Sequence, residues 1–359
     1  MDDRTTLFPN RTEPEVKTTD SSSPEGAVRI KREQSPRDWF FESNCKSQKI
    51  APLNRLVGES TAIAELRARI SRYAKTEATV LISGETGTGK ELIARILHDL
   101  SPRKDSPFVA INCAAIPGPL AESELFGSTK GAFTGAVHCR KGLLSRANNG
   151  TLFLDEFGEL LPEVQSKLLR VLEFGAFCRV GGNLEERTDV RIVAATNRDL
   201  ERSVLQGEFR ADLFYRINVL PIAAPPLRDR RGDIPHLAGK ILGDFLPDGS
   251  RLRITESVMT QLLQLPWPGN VRELKNVLHR SLVMSNGKVI DRLECDLANI
   301  KRNHANLTKS PDPVQRLINS LTQNKGRIEA VANEFNVSVR TIQRRMKESG
   351  LRLSDYRNL

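Results

Sequence analysis

Residues 79–100 read TVLIS, GETGTGKE, LIARILHDL: an apolar run, a glycine-punctuated turn and an amphipathic helical pattern. A strand that feeds a helix through such a turn needs a sheet around it, and the helix then starts at the sheet's carboxyl edge. Gly84, Glu85, Thr86, Gly87, Thr88 and Gly89 form the turn, ahead of Lys90. Glycines let backbone N–H groups close around phosphate oxygens, and the helix start adds partial positive charge. Lys90 then reaches the β- and γ-phosphates as a point charge. The spacing predicts a nucleoside triphosphate site. One position departs from the usual pattern: Glu91 stands where a Ser or Thr ordinarily follows the lysine and ligates Mg²⁺. Taken alone, that departure favours a chance glycine-rich turn.

Three more runs read as strands: Pro107–Cys113 (PFVAINC), Thr151–Glu156 (TLFLDE) and Val190–Asn197 (VRIVAATN). Buried β-branched runs separated by Gly, Pro or helical patterns predict an α/β domain with a parallel sheet over residues 51–230. From Arg231 the strands are expected to stop and helices to continue through Met284, forming a helical lid subdomain over residues 231–300. Residues 1–50 are rich in Thr, Ser, Pro, Glu and Lys and read as a disordered tail. Its aromatic cluster, Trp39-Phe40-Phe41, is expected to dock on the chain's own main domain rather than on a partner. Residues 301–312 read as a linker, and residues 313–359 as a small all-α domain.

Charge and cysteine usage narrow the partners. Of the net charge of +10, seven units lie in Lys301–Leu359, where twelve Lys/Arg face five Asp/Glu. A basic terminal domain suggests nucleic acid, although charge alone leaves a solvated face equally open. The five cysteines are scattered and include no CxxC pair, which argues against a disulfide framework and a zinc site. His138 and Cys139 lack further ligands nearby and read as ordinary loop residues. The acidic start MDDRTTLFPN is unlike a signal peptide, and no apolar run approaches the roughly 18 residues of a membrane helix. The expected location is cytoplasmic, with no membrane contact.

The TLFLDE run places Asp155 and Glu156 at the carboxyl end of a buried strand, where ligands of open α/β sheets collect. Such an acidic pair suits Mg²⁺ coordination by Asp155 and water activation by Glu156. The alternative is an exposed pair with no chemistry, which the upstream turn disfavours.

Seven motifs occur in order across roughly residues 53–300: GETGTGKE, ESELFG, GAFTGA, GTLFLDE, ATNRDL, FRADLFYR and WPGNVREL. Together they resemble the sigma-54-dependent transcription activators of the AAA+ ATPases, in which a Glu after the P-loop lysine is usual. The resemblance implies ATP and Mg²⁺ as cofactors and a sigma-54 RNA polymerase holoenzyme as partner. It implies that Gly131, Ala132, Phe133, Thr134, Gly135 and Ala136 contact sigma-54. Asn112 would hold Glu156 away from water until nucleotide and partner are in place. Thr196 and Asn197 would form the sensor I pair. Arg210 and Arg216 would act as arginine fingers on a neighbouring subunit of a homo-oligomer, a hexameric ring when active. Arg272 would be the sensor II arginine, near a helix start capped by Asn270. Phe157, where an aliphatic residue is more usual, alters packing rather than chemistry.

At the carboxyl end, GRIEAVANEF, NVS and VRTIQRRMKES read as helix, turn, helix. Ala330, Val331, Phe335, Ile342 and Met346 fit the inner faces, and Ser338 is a plausible N-cap. Arg340, Thr341, Gln343, Arg344, Arg345 and Lys347 are left outward, a face suited to double-stranded DNA. The segment resembles the Fis-type helix-turn-helix of the same activators; a basic bundle that binds protein is the alternative. Two other functions compete with activation: a DNA-binding regulator or repressor with an inert ATPase domain, and a general AAA+ protein remodeller. With about 50 residues ahead of the ATPase segment, the chain is expected to lack a receiver domain and to resemble the truncated activators, controlled by a regulatory protein in trans or by expression. Of these, activators of plant-pathogen type III secretion genes, a virulence function, are preferred over phage-shock activators.

Overall fold

Apolar runs that cannot leave either side in water have to be sandwiched, and the central strands of this chain are. The computed structural model describes residues 30–31, 38–42, 51–132, 138–246, 250–285, 289–294, 313–335, 339–349, 351, 353 and 356. In chain order the strands are β1 (Ile30–Lys31), β2 (Asp38–Glu42), β3 (Val80–Ser83), β4 (Phe108–Asn112), β5 (Gly127–Ser128), β6 (Arg140–Lys141), β7 (Thr151–Asp155), β8 (Ala176–Cys178), β9 (Glu185–Arg187), β10 (Arg191–Thr196), β11 (Leu220–Ala223), β12 (Arg251–Thr255) and β13 (Val289–Ile290).

The main sheet has five strands in the order β11-β3-β10-β7-β4, with every pair parallel. Its side chains alternate between two cores with the period of two that a strand imposes. Val80, Ile82, Phe153, Val193 and Ala195 pack with the helices Thr61–Tyr73 and Lys90–Asp99. Leu81, Leu152, Leu154, Ile192 and Ala194 face the opposite core, with Leu125, Val164, Leu168 and Leu213. The four strands expected from sequence all belong to this sheet. The fifth, β11, carries Pro221. It lies at the sheet edge, where a residue without an N–H is tolerated.

Past Arg231 the expectation of helices alone needs correcting. Helices Ile234–Phe245, Glu256–Gln264 and Asn270–Met284 are present, but β12 runs between the first two. It sits inside a second sheet of order β1-β2-β12-β13. β12 reads RLRIT, with Leu252 and Ile254 fully buried and Arg251 and Arg253 outside. Its antiparallel partner is β2, in the register Leu252↔Phe41 and Ile254↔Trp39. Phe41 is fully buried in the lid core beside Leu252, Ile254 and Trp267, and Trp39 packs against that core. The aromatic cluster therefore docks on its own chain. Asp38–Glu42 is a strand of the lid, not part of a disordered tail; Asp38 also pairs with Arg253.

Among the described residues, three carboxyl-terminal helices run over Pro313–Gln323, Ile328–Glu334 and Val339–Glu348. They enclose a small core of Leu317, Leu321, Val331, Ala332, Ile342 and Met346, with Phe335 packed against it. Glu334 ties the first two helices by accepting from Ser320 Oγ at 2.6 Å and Asn324 Nδ2 at 3.0 Å.

Candidate functional site

The turn after β3 curls back on the sheet. Gly84 N donates to Thr196 O at 3.1 Å, joining the turn to the end of β10. Gly87 has φ +82°, and a Cβ there would lie 2.2 Å from Gly269 O, so only glycine fits between the turn and the lid. Lys90, buried at the helix start, donates from Nζ to Gly84 O at 3.0 Å and Glu85 O at 3.4 Å. Its ammonium lies 4.0 Å from Glu156 Oε1. Glu91 points elsewhere: it pairs with Arg95 one helical turn on, at 2.8 Å.

β7 ends the acidic side of the site. Glu156 has φ +50°, a conformation rare outside glycine, and its N–H donates to Asp155 Oδ1 at 3.0 Å. That backbone twist takes Glu156 out of the strand while Asp155 remains the last residue of β7. Phe157 behind them is fully buried, with its ring centroid 5.6 Å from that of Phe209. The Cys113 thiol is pushed up to about 12, by burial first and then by the neighbouring Asp155 carboxylate. Thr196 is buried and accepts from Arg198 N at 3.0 Å, while Asn197 Nδ2 reaches Thr86 Oγ1 at 3.2 Å. The sheet order thus gathers Lys90, Asp155, Glu156, Thr196 and Asn197 at one carboxyl edge. Asn112 sits level with Asp155, but its Oδ1 accepts from Ala114 N at 2.9 Å. Among the described residues no hydrogen bond joins Asn112 to Glu156.

The lid closes on the turn through residues that sequence reasoning read differently. Asn270 does not cap its helix: it is fully buried at the helix's first position with φ +52°, and Gly269 precedes it as the cap residue without a side-chain bond. Its Oδ1 accepts from Leu227 N at 2.8 Å, and its Nδ2 donates to Glu85 Oε2 and Thr86 O, both at 3.1 Å. Val271 N donates to Gly87 O at 3.0 Å, and Arg272 follows, exposed beside the turn. Arg228 makes two bonds to the Glu85 carboxylate, at 2.7 and 2.8 Å. Arg228 was missed because nothing in PLRDRRGD distinguishes one arginine from the next; the signal lay in the unexplained acid at position 85.

Arg210 is exposed and pairs with Asp212 at 2.7 Å. Arg216 donates from Nε and Nη2 to Leu172 O at 3.1 and 3.0 Å. Among the described residues neither bonds the phosphate-loop turn of its own chain. The GAFTGA segment falls in sequence between β5 and β6, and in that ribbon Gly127 lies so close to Arg140 O that a Cβ would approach to 2.5 Å. Ala132 N donates to Thr129 O at 3.2 Å, and Gly131 has open space around it. Phe133, Thr134, Gly135 and Ala136 lie outside the described residues, as does Ser338. His138 and Cys139 are exposed. Among the described residues no three His, Cys, Asp or Glu side chains cluster as a metal cage. In the last helix Gln343 and Arg344 are exposed and Thr341 is half-buried. Arg340, Arg345 and Lys347 fall on the same helix, Val339–Glu348. Among the described residues no helix is long and apolar enough to cross a membrane.

Two family models match this architecture: a sigma-54 interaction domain over residues 56–223 and an AAA+ ATPase lid domain over residues 228–310. The Nif-specific regulatory protein of Azotobacter vinelandii is 49% identical over 282 residues, covering 78% of this chain and 54% of the relative. That of Klebsiella pneumoniae is 44% identical over 317 residues, covering 88% of this chain and 59% of the relative. The chain thus spans about half the length of the curated relatives it matches. Among solved structures, NtrX from Brucella abortus in complex with ADP is 32% identical with a TM-score of 0.60, over 82% of this chain and 69% of that one. With both subdomains matched in sequence and most of the chain matched in space, the chain belongs to the sigma-54-dependent activators of the AAA+ family.

Proposed function

We propose that the chain is an ATP-hydrolysing, cytoplasmic transcription activator that acts on sigma-54 RNA polymerase bound at a promoter. The observation that carries this reading is the meeting of Lys90 and Glu156, 4.0 Å apart, at the carboxyl edge of a parallel sheet. The donor set suits a magnesium–nucleotide complex. The site offers a buried ammonium, glycine-flexed backbone N–H groups at a helix start, and the hard oxygens of Asp155 for an ion that takes few protein ligands. Bound ATP would supply the phosphoanhydride to be cleaved, and Mg²⁺ would spread its negative charge.

Lys90 would hold the phosphate oxygens, Asp155 would hold the metal, and Glu156 would take a proton from the attacking water. Asn197, already on Thr86, orients the phosphate side of the site, and Arg272 stands on the lid side. Asn112 is the residue proposed to restrain Glu156 in another state of the ring. Arg210 and Arg216 are exposed and off their own phosphate loop, which supports their proposed role as arginine fingers for the neighbouring subunit of a hexameric ring. Phe133 and Thr134, between β5 and β6 in sequence, are the proposed sigma-54 contact. The last two helices are proposed to form a helix-turn-helix that holds enhancer DNA through Arg340, Thr341, Gln343, Arg344, Arg345 and Lys347. A type III secretion target finds no support among the relatives, which are Nif-specific regulatory proteins.

The test pairs two variants in a purified sigma-54 transcription assay. Glu156→Ala should bind ATP and lose turnover; hydrolysis at the wild-type rate would show that the wrong base is named. Phe133→Ala should hydrolyse ATP and bind DNA yet form no open complex. Wild-type open-complex formation by that variant would show that Phe133 is not the sigma-54 contact, whereas a wild-type chain that forms no open complex would sink the activator reading and leave a DNA-binding regulator.

A further inference from the structure

An acid in a phosphate loop carries the wrong charge for the ligand. Glu85 is the second residue of that loop, and its carbonyl accepts from Lys90 Nζ at 3.4 Å and from Thr88 Oγ1 at 2.8 Å. Its carboxylate turns away from the loop. Oε1 accepts from Arg228 at 2.7 Å; Oε2 accepts from Arg228 at 2.8 Å and from Asn270 Nδ2 at 3.1 Å. The Arg228 guanidinium, ahead of the Asn270 bond, holds the Glu85 carboxyl below the usual carboxylate range, so the group is ionised. Asn270 is fully buried at φ +52° and also fixes Thr86 O and Leu227 N.

Exposure decides what this arrangement is for. The side chains of Arg228 and Glu85 are 39% and 43% exposed, and ion pairs that open to water add little to stability. A fork-shaped guanidinium on a carboxylate does, however, cancel a unit charge wherever it sits. Here that charge sits one residue from the glycines that would wrap the phosphates.

We propose that Arg228, oriented with help from Asn270, is a charge-compensating residue for nucleotide binding: it neutralises Glu85 so that a polyanion can enter the loop. This rests on the nucleotide-site reading above. The repulsion released on losing Arg228 scales with ligand charge, which a purely structural role would not produce. At an effective dielectric of about 40, two unit charges about 6 Å apart change binding about tenfold.

The test is equilibrium binding of ATP, ADP and adenosine to the full chain, measured by calorimetry for wild type, Arg228→Met, Glu85→Gln and the double variant. Arg228→Met should weaken ATP about tenfold, ADP less, and adenosine less than about twofold. Adding Glu85→Gln should restore ATP binding to within about threefold of wild type. Equal losses for all three ligands, or a double variant as weak as Arg228→Met, would overturn the inference. Should Arg228→Met not fold, Glu85→Gln alone decides: it keeps an acceptor for Asn270 and should bind ATP at least as well as wild type, and a tenfold loss refutes the idea. A wild-type chain that binds none of the three ligands would sink the nucleotide reading itself.

Discussion

Replacing Phe41 with Ala should unzip the amino-terminal strand from the lid. The ring is fully buried between Leu252, Ile254 and Trp267. Truncating a buried Phe to Ala costs about 3–5 kcal/mol. The remaining anchors of β2 are a five-residue antiparallel ladder, the half-buried Trp39 and the Asp38–Arg253 pair at the surface. The loss therefore falls on a short element rather than on a whole domain. Because the chain has separate cores, one melting temperature would blur the effect. Amide hydrogen exchange resolves it. The amides of Arg251–Thr255 should lose about two powers of ten in protection, the low end of that cost. Those of Val80–Ser83 should be unchanged. Phe40→Ala is the control, since Phe40 is half-buried and lies outside the lid core. Protection of Arg251–Thr255 within about threefold of wild type in Phe41→Ala would refute the argument that this side chain holds the strand.

Two further expectations concern titratable groups. His98 is buried with Nδ1 3.0 Å from Thr151 Oγ1, and burial pushes its pKa below the ordinary value, with Asp99 opposing. The unfolded chain then takes up the proton first as pH falls, so the stability held in neutral His98 is complete above about pH 6.5 and is lost below it. Denaturation midpoints should fall between about pH 8 and pH 5.5 more steeply in wild type than in His98→Gln, and equal slopes would reject the assignment. Thiol reagents at neutral pH should label the exposed Cys139 and spare Cys113, whose thiol is buried and raised to about 12. Labelling of Cys113 at the rate of Cys139 would contradict its place beneath the acidic pair.

The central sheet was legible because strands buried on both faces must be apolar throughout, which is how β3, β7 and β10 read. The chemistry at their ends was legible for the same reason: polar residues that end such runs have few roles. β11 was missed because Pro221 argues against a strand, and only its edge position excuses it. β12 was missed because RLRIT is short, charged and set between helices, although its alternation is a strand's. The role of Asn270 was misread. Its type and place suggest a cap, whereas its partners Glu85 and Thr86 lie 185 and 184 positions away. Contacts at that separation are decided by the fold, and the same holds for Arg228 and Glu85.

The strand β2 also sets a length. Glu42 is in the lid sheet and Ala51 opens the α/β portion, so nine peptide links join them, reaching at most about 30 Å when taut. While β2 stays paired, the lid is on a leash as well as joined through the connection at Leu227–Asp233. Anything fused ahead of Asp38, whether an affinity tag, a fluorophore or a whole module, hangs from the lid and not from the sheet. Tension or bulk applied there would be felt first by the subdomain that closes over the phosphate loop.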